Sequence, residues 1–148
     1  MFKISEIKPL VEQLKKFNLI PSGSYARQER VINDLDFITT KPLKSIVERI
    51  ARKYPIKVIK LGKEYGQIML KNIPIDIWRS DKDKLLFMKF SRHASQQFNI
   101  RARRLAKLKG YRLNDFGLYR NSMRVPIRNE RELFRKIGMT YRGIAERI

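Results

Sequence analysis

The chain has 148 residues, with 34 Lys or Arg against 14 Asp or Glu for a net charge of +20; this is the length of one domain, or of two very small lobes. Such an excess needs an anionic partner and lies far from the balance of an ordinary metabolic enzyme, while 43% hydrophobic content is enough to bury a core and excludes charge-driven disorder. With no cysteine and one histidine, His93, disulfides, thiolate chemistry and histidine zinc centres are excluded, so any metal must bind oxygen.

Apolar residues recur at helical spacing from Ile4 to Phe17, which predicts an amphipathic helix with Ser5 as N-cap and Pro9 in or near its first turn. A short apolar stretch from Leu19 then meets the turn Gly23-Ser24-Tyr25-Ala26-Arg27, followed by alternation over Ile32–Ile38 with the period of a strand. Pro42 opens a second helix with Leu43, Ile46, Val47 and Ile50 on its apolar side. Three β-rich runs follow, Ile56–Leu61, Gly66–Leu70 and Ile73–Trp78, spaced for antiparallel hairpins. The fold class is therefore α+β.

Beyond Trp78 the composition turns helical and more basic: residues 1–78 hold 15 basic and 8 acidic side chains, residues 79–148 hold 19 and 6. A lobe boundary is expected near Arg79–Asp81, dividing the chain into 1–79 and 80–148. In the second lobe, Phe98, Ala102, Leu105 and Leu108 predict a buried helical stripe, with Arg101, Arg103, Arg104 and Lys107 as the basic cluster most suited to a polyanion. Short strands are expected at Tyr111–Leu113, Leu118–Arg120 and Arg124–Ile127, then a helix over Glu130–Ile137 closed by Gly138. Tyr111, Phe116 and Tyr119 are expected to serve that lobe's core, and Trp78 the core or lobe junction. His93 is expected to be solvated or phosphate-facing.

Asp34 and Asp36, two apart on a predicted strand, leave the same face, and Asp76 sits opposite the apolar Ile73, Ile75 and Ile77 of another. An isolated pair of aspartates usually means only a solvated strand face. Here a third carboxylate, the Gly23-Ser24 corner ahead of a short helix, and Arg27 one turn later add phosphate-binding groups. Such a set suits phosphoryl transfer with two Mg²⁺ ions about 3.5–4 Å apart, Mn²⁺ being an acceptable substitute. Asp34, Asp36 and Asp76 are then both metal ligands and catalytic residues.

Gly23-Ser24…Asp34-Leu35-Asp36…Asp76 resembles the signature of nucleotidyltransferases of the DNA polymerase beta type. The run from Phe98-Asn99-Ile100-Arg101 through Gly110-Tyr111-Arg112-Leu113-Asn114-Asp115-Phe116-Gly117-Leu118-Tyr119 is similar to that of family X DNA polymerases, as is the ending Glu132–Arg142. The resemblance implies a nucleotidyltransferase palm, a mixed β-sheet with flanking helices, over 1–79, a small α/β thumb-like lobe over 80–148, and no N-terminal lyase domain. It implies template-directed addition of dNTPs to a primer 3′-OH, as in filling short gaps during DNA repair, with gapped or primer–template DNA as partner. By the same resemblance Gly23, Ser24 and Arg27 hold phosphates, Asn99 faces the nucleotide's base or sugar, and Arg103 lies near the template.

Three positions depart from the family pattern. Ser91-Arg92-His93-Ala94-Ser95 stands where relatives carry an aromatic residue and Thr-Gly-Ser, leaving Phe90 as candidate for the aromatic place and His93 for a nucleotide contact. Pro74 replaces an arginine beside the third aspartate, and Gly143-Ile144 replaces a Pro-Pro. The alternatives are a nucleotidyltransferase acting on RNA or on a protein, such as an antitoxin-like AMP transferase, and a basic nucleic-acid-binding module that has lost catalysis. No membrane-length apolar window and no signal-peptide run occur, so an intracellular protein, acting as a monomer, is the expectation.

Overall fold

The computed structural model describes residues 1–148. A short strand β1 (Phe2–Lys3) enters α1 (Ile4–Leu14), which tightens into a 3₁₀ turn over Lys15–Phe17. The helix starts before Ser5: Lys3 is its N-cap, and the Lys3 amide donates to Glu6 Oε2 at 3.4 Å. Pro9 therefore lies in the second turn and removes one backbone bond there. After β2 (Ile20–Ser22) and α2 (Gly23–Ala26), the expected single strand over Ile32–Ile38 is two strands, β3 (Val31–Ile32) and β4 (Leu35–Thr39). The chain bends at Asn33-Asp34 because β3 pairs with β1, whereas β4 enters the main sheet.

Helix α3 (Leu43–Lys53) buries Leu43, Ile46, Val47 and Ile50. The strands β5 (Ile56–Leu61), β6 (Tyr65–Leu70) and β7 (Ile73–Arg79) complete a five-stranded sheet ordered β2-β4-β7-β6-β5, in which only β4 and β7 run parallel. Alternation sorts the two faces. Leu35, Phe37, Ile68, Leu70, Ile75 and Ile77 pack with α1 and α3 into the first core. Across the opposite face the register lines up one residue per strand: Ser22, Asp36, Asp76, Gln67 and Lys60. At the sheet's edge, Val58, Ile59 and Leu61 of β5 are 46%, 48% and 42% exposed, interleaved with Lys57 and Lys60.

The second core lies in residues 87–137. It is formed by α4 (Leu85–His93), α5 (Gln96–Leu108), a three-stranded meander β8 (Arg112–Asn114), β9 (Gly117–Arg120) and β10 (Met123–Arg124), and α6 (Glu130–Ile137). Phe90, Phe98 and Phe134 meet at its centre with ring centroids 5.2 to 6.0 Å apart, in the tilted and edge-on arrangements aromatic rings prefer. Caps define its helices. Ser95 Oγ accepts from the Phe98 amide at 3.1 Å, Asn129 Oδ1 accepts from the Glu132 amide at 2.9 Å, and Gly138, at φ 81°, ends α6.

Several local expectations fail for physical reasons. Leu108 is 78% exposed; the buried stripe of α5 runs through Phe98, Ala102 and Ala106 instead. The third strand stops at Arg124, because Pro126 has no amide to continue a ladder. Tyr111 packs against the second core, but Phe116 is 42% exposed with the Lys84 ammonium 5.8 Å from its ring, and Tyr119 is only half-buried. Helix α4 has no sequence-level expectation behind it. It buries Phe87 and Phe90 in the second core while packing against β2, β4 and α2 of the first lobe, so its apolar residues follow two faces and not one stripe.

The last residues are fastened into the second lobe. Arg147 is wholly buried: Nη1 donates to Glu130 Oε2 at 2.6 Å, Nε to the Arg142 carbonyl at 3.0 Å, and its guanidinium lies 5.2 Å from the Phe134 ring centroid. The Arg147 carbonyl in turn accepts from the Ser95 amide at 2.8 Å, joining this segment to the start of α5.

Candidate active site

A cleft of about 870 Å³ opens between the lobes. One wall is the first lobe's sheet and the turn after β2, bringing Gly23, Ser24, Arg27, Asp34 and Asp36 to its surface. The facing wall is the junction of α4 and α5, with Ser91, Arg92, Asn99 and Arg103.

Asp36 and Asp76 are register partners on the parallel strands β4 and β7, which places their Cα atoms about 4.8 Å apart on one face. Asp34 lies in the bend just before β4. The carboxylates feel one another. Burial above all, then the charges of Asp34 and Asp76, push Asp36 up to about 7, against the pull of Arg92 and Arg27. Asp34 is raised by burial and by Asp76.

Asp76 is oriented from its own sheet. Tyr65 Oη donates to Asp76 Oδ1, and Gln67 Nε2 donates to the same oxygen at 3.1 Å, leaving Oδ2 without a protein donor. Burial, followed by the bond to Asp76, pushes the Tyr65 phenol up to about 12, so it remains a donor at any working pH. As the side chains stand, no three carboxylates close around a common point: Asp36 and Asp76 share a sheet face, whereas Asp34, expected on the same strand as Asp36, lies in the bend before it and is linked to the others through their field alone. That donor set nonetheless fits a hard cation: the ligands are all oxygen, and burial, reinforced by mutual repulsion, keeps Asp36 hard to ionise until positive charge arrives.

Gly23 is required by this geometry. Its φ of 60° is left-handed, and a Cβ there would lie 2.9 Å from Asp36 Cγ and closer still to its carboxylate oxygen. Gly23→Ala is expected to cost about 1–3 kcal/mol from backbone strain and displacement of Asp36. Thermal melting checks that loss.

The remaining candidates divide. Asn99 lines the cleft, but its Nδ2 is engaged by the Ser91 carbonyl at 2.8 Å. Arg103 lines it too and pairs with Asp115 at 3.1 Å. Arg101, Arg104 and Lys107 are exposed on α5, Arg101 donating to the Ile148 carbonyl. Phe90 is not in the cleft: it is 1% exposed and fills the second core. His93 is neither solvated nor phosphate-facing. It is 5% exposed, and burial, then Arg147, Lys89 and Arg27, push it down to about 4, so it is neutral and structural.

Arg92, Tyr65, Gln67 and Glu29 were not anticipated. Arg92 sits 4.0 Å above the Trp78 ring, donates to Asp115 Oδ2 at 2.6 Å, and contributes positive field at Asp36. Tyr65 covers the same indole, centroids 4.4 Å apart. The available signals were an arginine in an aromatic place for Arg92 and, for Tyr65 and Gln67, strand alternation placing both on the face of Asp76.

Residues 94–147 match the family model described as DNA polymerase beta thumb. The chain is 28% identical over 150 residues to Repair DNA polymerase X of African swine fever virus from a Kenyan pig isolate, covering 94% of this chain and 86% of the viral protein. The corresponding protein of the Vero-adapted Badajoz strain is 28% identical over 144 residues, covering 90% and 82%. Leishmania infantum polymerase beta, solved as a ternary P/T complex, superposes with a TM-score of 0.85 at 18% identity, over 99% of this chain and 76% of that one. Its ternary gap complex gives 0.85 at 19%, over 99% and 70%. The resemblance to family X polymerases thus holds in sequence and in fold.

Proposed function

We propose that this chain, given its match to the polymerase beta thumb model over residues 94–147 and its likeness to viral repair polymerase X, is a template-directed DNA polymerase of family X that adds dNTPs to a primer 3′-OH at short gaps in DNA. Residues 1–79 serve as its palm and 80–148 as its thumb. The observation that carries the reading is the pairing of Asp36, which lines the interlobe cleft beside the glycine corner, with Asp76 on the adjacent parallel strand.

The Gly23-Ser24 corner offers a backbone amide and a hydroxyl to triphosphate oxygens, with no Cβ in the way. Asp34 and Asp36, from the cleft wall, and Asp76, from the neighbouring strand, would hold two Mg²⁺ or Mn²⁺ ions, which would supply charge neutralisation for the triphosphate and acidity for the primer hydroxyl. Asp76 Oδ2, free because Tyr65 and Gln67 both occupy Oδ1, receives the primer hydroxyl's proton. Arg92 limits the repulsion around Asp36. Asn99 and Arg103 present the thumb's polar edge to the nucleotide and template. Arg101, Arg104 and Lys107 hold backbone phosphates, an attraction that salt weakens steeply.

Gapped and recessed duplexes offered with Mg²⁺ or Mn²⁺ and either dNTPs or NTPs test this. The expected result is incorporation of the complement of the template base, changing when that base is changed. Labelling of protein or untemplated RNA would replace this reading with an RNA- or protein-directed transferase. Tight duplex binding without turnover under either metal would leave only a basic binding module.

A further inference from the structure

Arg27 follows Ser24 by one turn on the cleft wall, and only 11% of its side chain is exposed. Every guanidinium nitrogen already has a partner. Nε donates to Glu29 Oε2 at 2.8 Å, Nη2 lies 2.6 Å from that same oxygen, and Nη1 donates to the His93 carbonyl at 3.1 Å. The Nε–Nη2 edge is the one with which arginine grips a carboxylate or a phosphate in two-point fashion. Here it is filled by a carboxylate of the chain itself.

The backbone puts Glu29 there. Gln28 adopts φ 59°, turning the chain back, and the Glu29 amide donates to the Ser24 carbonyl at 3.1 Å. Glu29 thereby faces the same cleft as Ser24 and Arg27. The two partners are held unequally. Arg27 is pinned from behind by the His93 carbonyl, whereas the Glu29 side chain is 43% exposed; the carboxylate can swing into water while the guanidinium stays in place.

We propose that Glu29 is an internal occupant of the phosphate seat, holding the Arg27 edge until an incoming nucleoside triphosphate displaces it and retaking it when pyrophosphate leaves. The inference rests on the nucleotide-transfer reading of the cleft and adds a residue that tunes which anions enter it. In a protein of net charge +20 whose partner is a polyanion, an unguarded arginine in the cleft would collect any phosphate. A carboxylate that yields only to a multiply charged one rejects the backbone phosphates of the DNA. The pair exists in the free enzyme and is absent once triphosphate is bound, in ground state and transition state alike. Removing it therefore changes binding and leaves the chemical step alone.

The test is Glu29→Gln in the full chain. Calorimetry with a non-hydrolysable α,β-imido dNTP and Mg²⁺ reads affinity, and steady-state rates on a one-nucleotide-gapped duplex read KM and kcat. Affinity should tighten and KM fall by about three- to tenfold, with kcat unchanged and product inhibition by pyrophosphate strengthened in step. In an Arg27→Ala background the gain should vanish. Unchanged affinity in Glu29→Gln, or a gain that persists without Arg27, overturns the proposal. Glu29→Ser frees the same edge and is read the same way: lower thermal stability without tighter binding in both variants makes Glu29 a structural partner only. If the unaltered protein binds no triphosphate, the reading of the cleft itself falls; triphosphate bound equally by both forms defeats this inference alone.

Discussion

Asp36→Asn is expected to abolish nucleotide addition, by on the order of a thousandfold or more, while making the metal-free protein more stable above pH 7. Both effects come from the same carboxylate. Asp36 is nearly buried between Asp34 and Asp76, and its folded value stands at about 7, far above the ordinary carboxylate value of 3.8. A group with a raised folded value binds more protons in the native than in the unfolded chain over that interval. Stability therefore falls as pH rises from about 4 to about 7, and the loss persists above it. The shift corresponds to roughly 4 kcal/mol of stability forgone at pH 8. An amide of the same shape carries no charge, so it removes the penalty along with the metal ligand. Thermal melts of both proteins in chelator, from pH 4 to pH 8, should show the wild type losing stability along a slope that the variant lacks. Parallel slopes would mean that burial and the neighbouring aspartates do not hold Asp36 above its ordinary value.

The second large effect is on stability alone. Glu130→Ala should cost roughly 2–4 kcal/mol, although Glu130 is far from the aspartates in sequence. The substitution leaves the guanidinium of Arg147, wholly buried beside Phe134, with the backbone carbonyl of Arg142 as its remaining acceptor. The Glu130 side chain is 28% exposed, so water softens the loss, and the lower end of the range already allows for it. Arg147→Met, which removes the charge and keeps a long apolar side chain, should be milder, and the double variant should resemble Arg147→Met. Urea unfolding of the three variants checks this. A full-strength loss in Arg147→Met would assign the stability to packing and not to the ion pair.

The residues that could be recognised in advance are those whose role follows from local pattern. Period-two alternation put Asp36 and Asp76 on the polar side of their strands, and a glycine ahead of a serine marked the turn beside them. What alternation could not supply was strand order: the parallel pairing of β4 with β7 that makes Asp36 and Asp76 neighbours is a property of the topology. Helix α4 escaped notice because it serves two surfaces and so shows no single stripe. With it went the fates of Phe90 and His93, both drawn into the interior, and of Arg92, whose partners Trp78 and Asp115 lie 14 and 23 residues away in sequence. Glu29 was hidden differently. It stands two residues from Arg27 in a loop with no periodicity to place it, and only the left-handed turn at Gln28 brings it onto the guanidinium.

The uncovered edge formed by β5 bears on how the protein tolerates its surroundings. Its exposed Val58, Ile59 and Leu61 would favour strand-to-strand stacking between molecules, and Lys57 and Lys60 are the guards that keep such edges apart. That guard is electrostatic, and at 1 M salt its reach shrinks to about 3 Å. Concentrated salt, used to strip nucleic acid from a protein this basic, therefore also disarms its defence against precipitation, and bound DNA and solubility will trade against each other in purification.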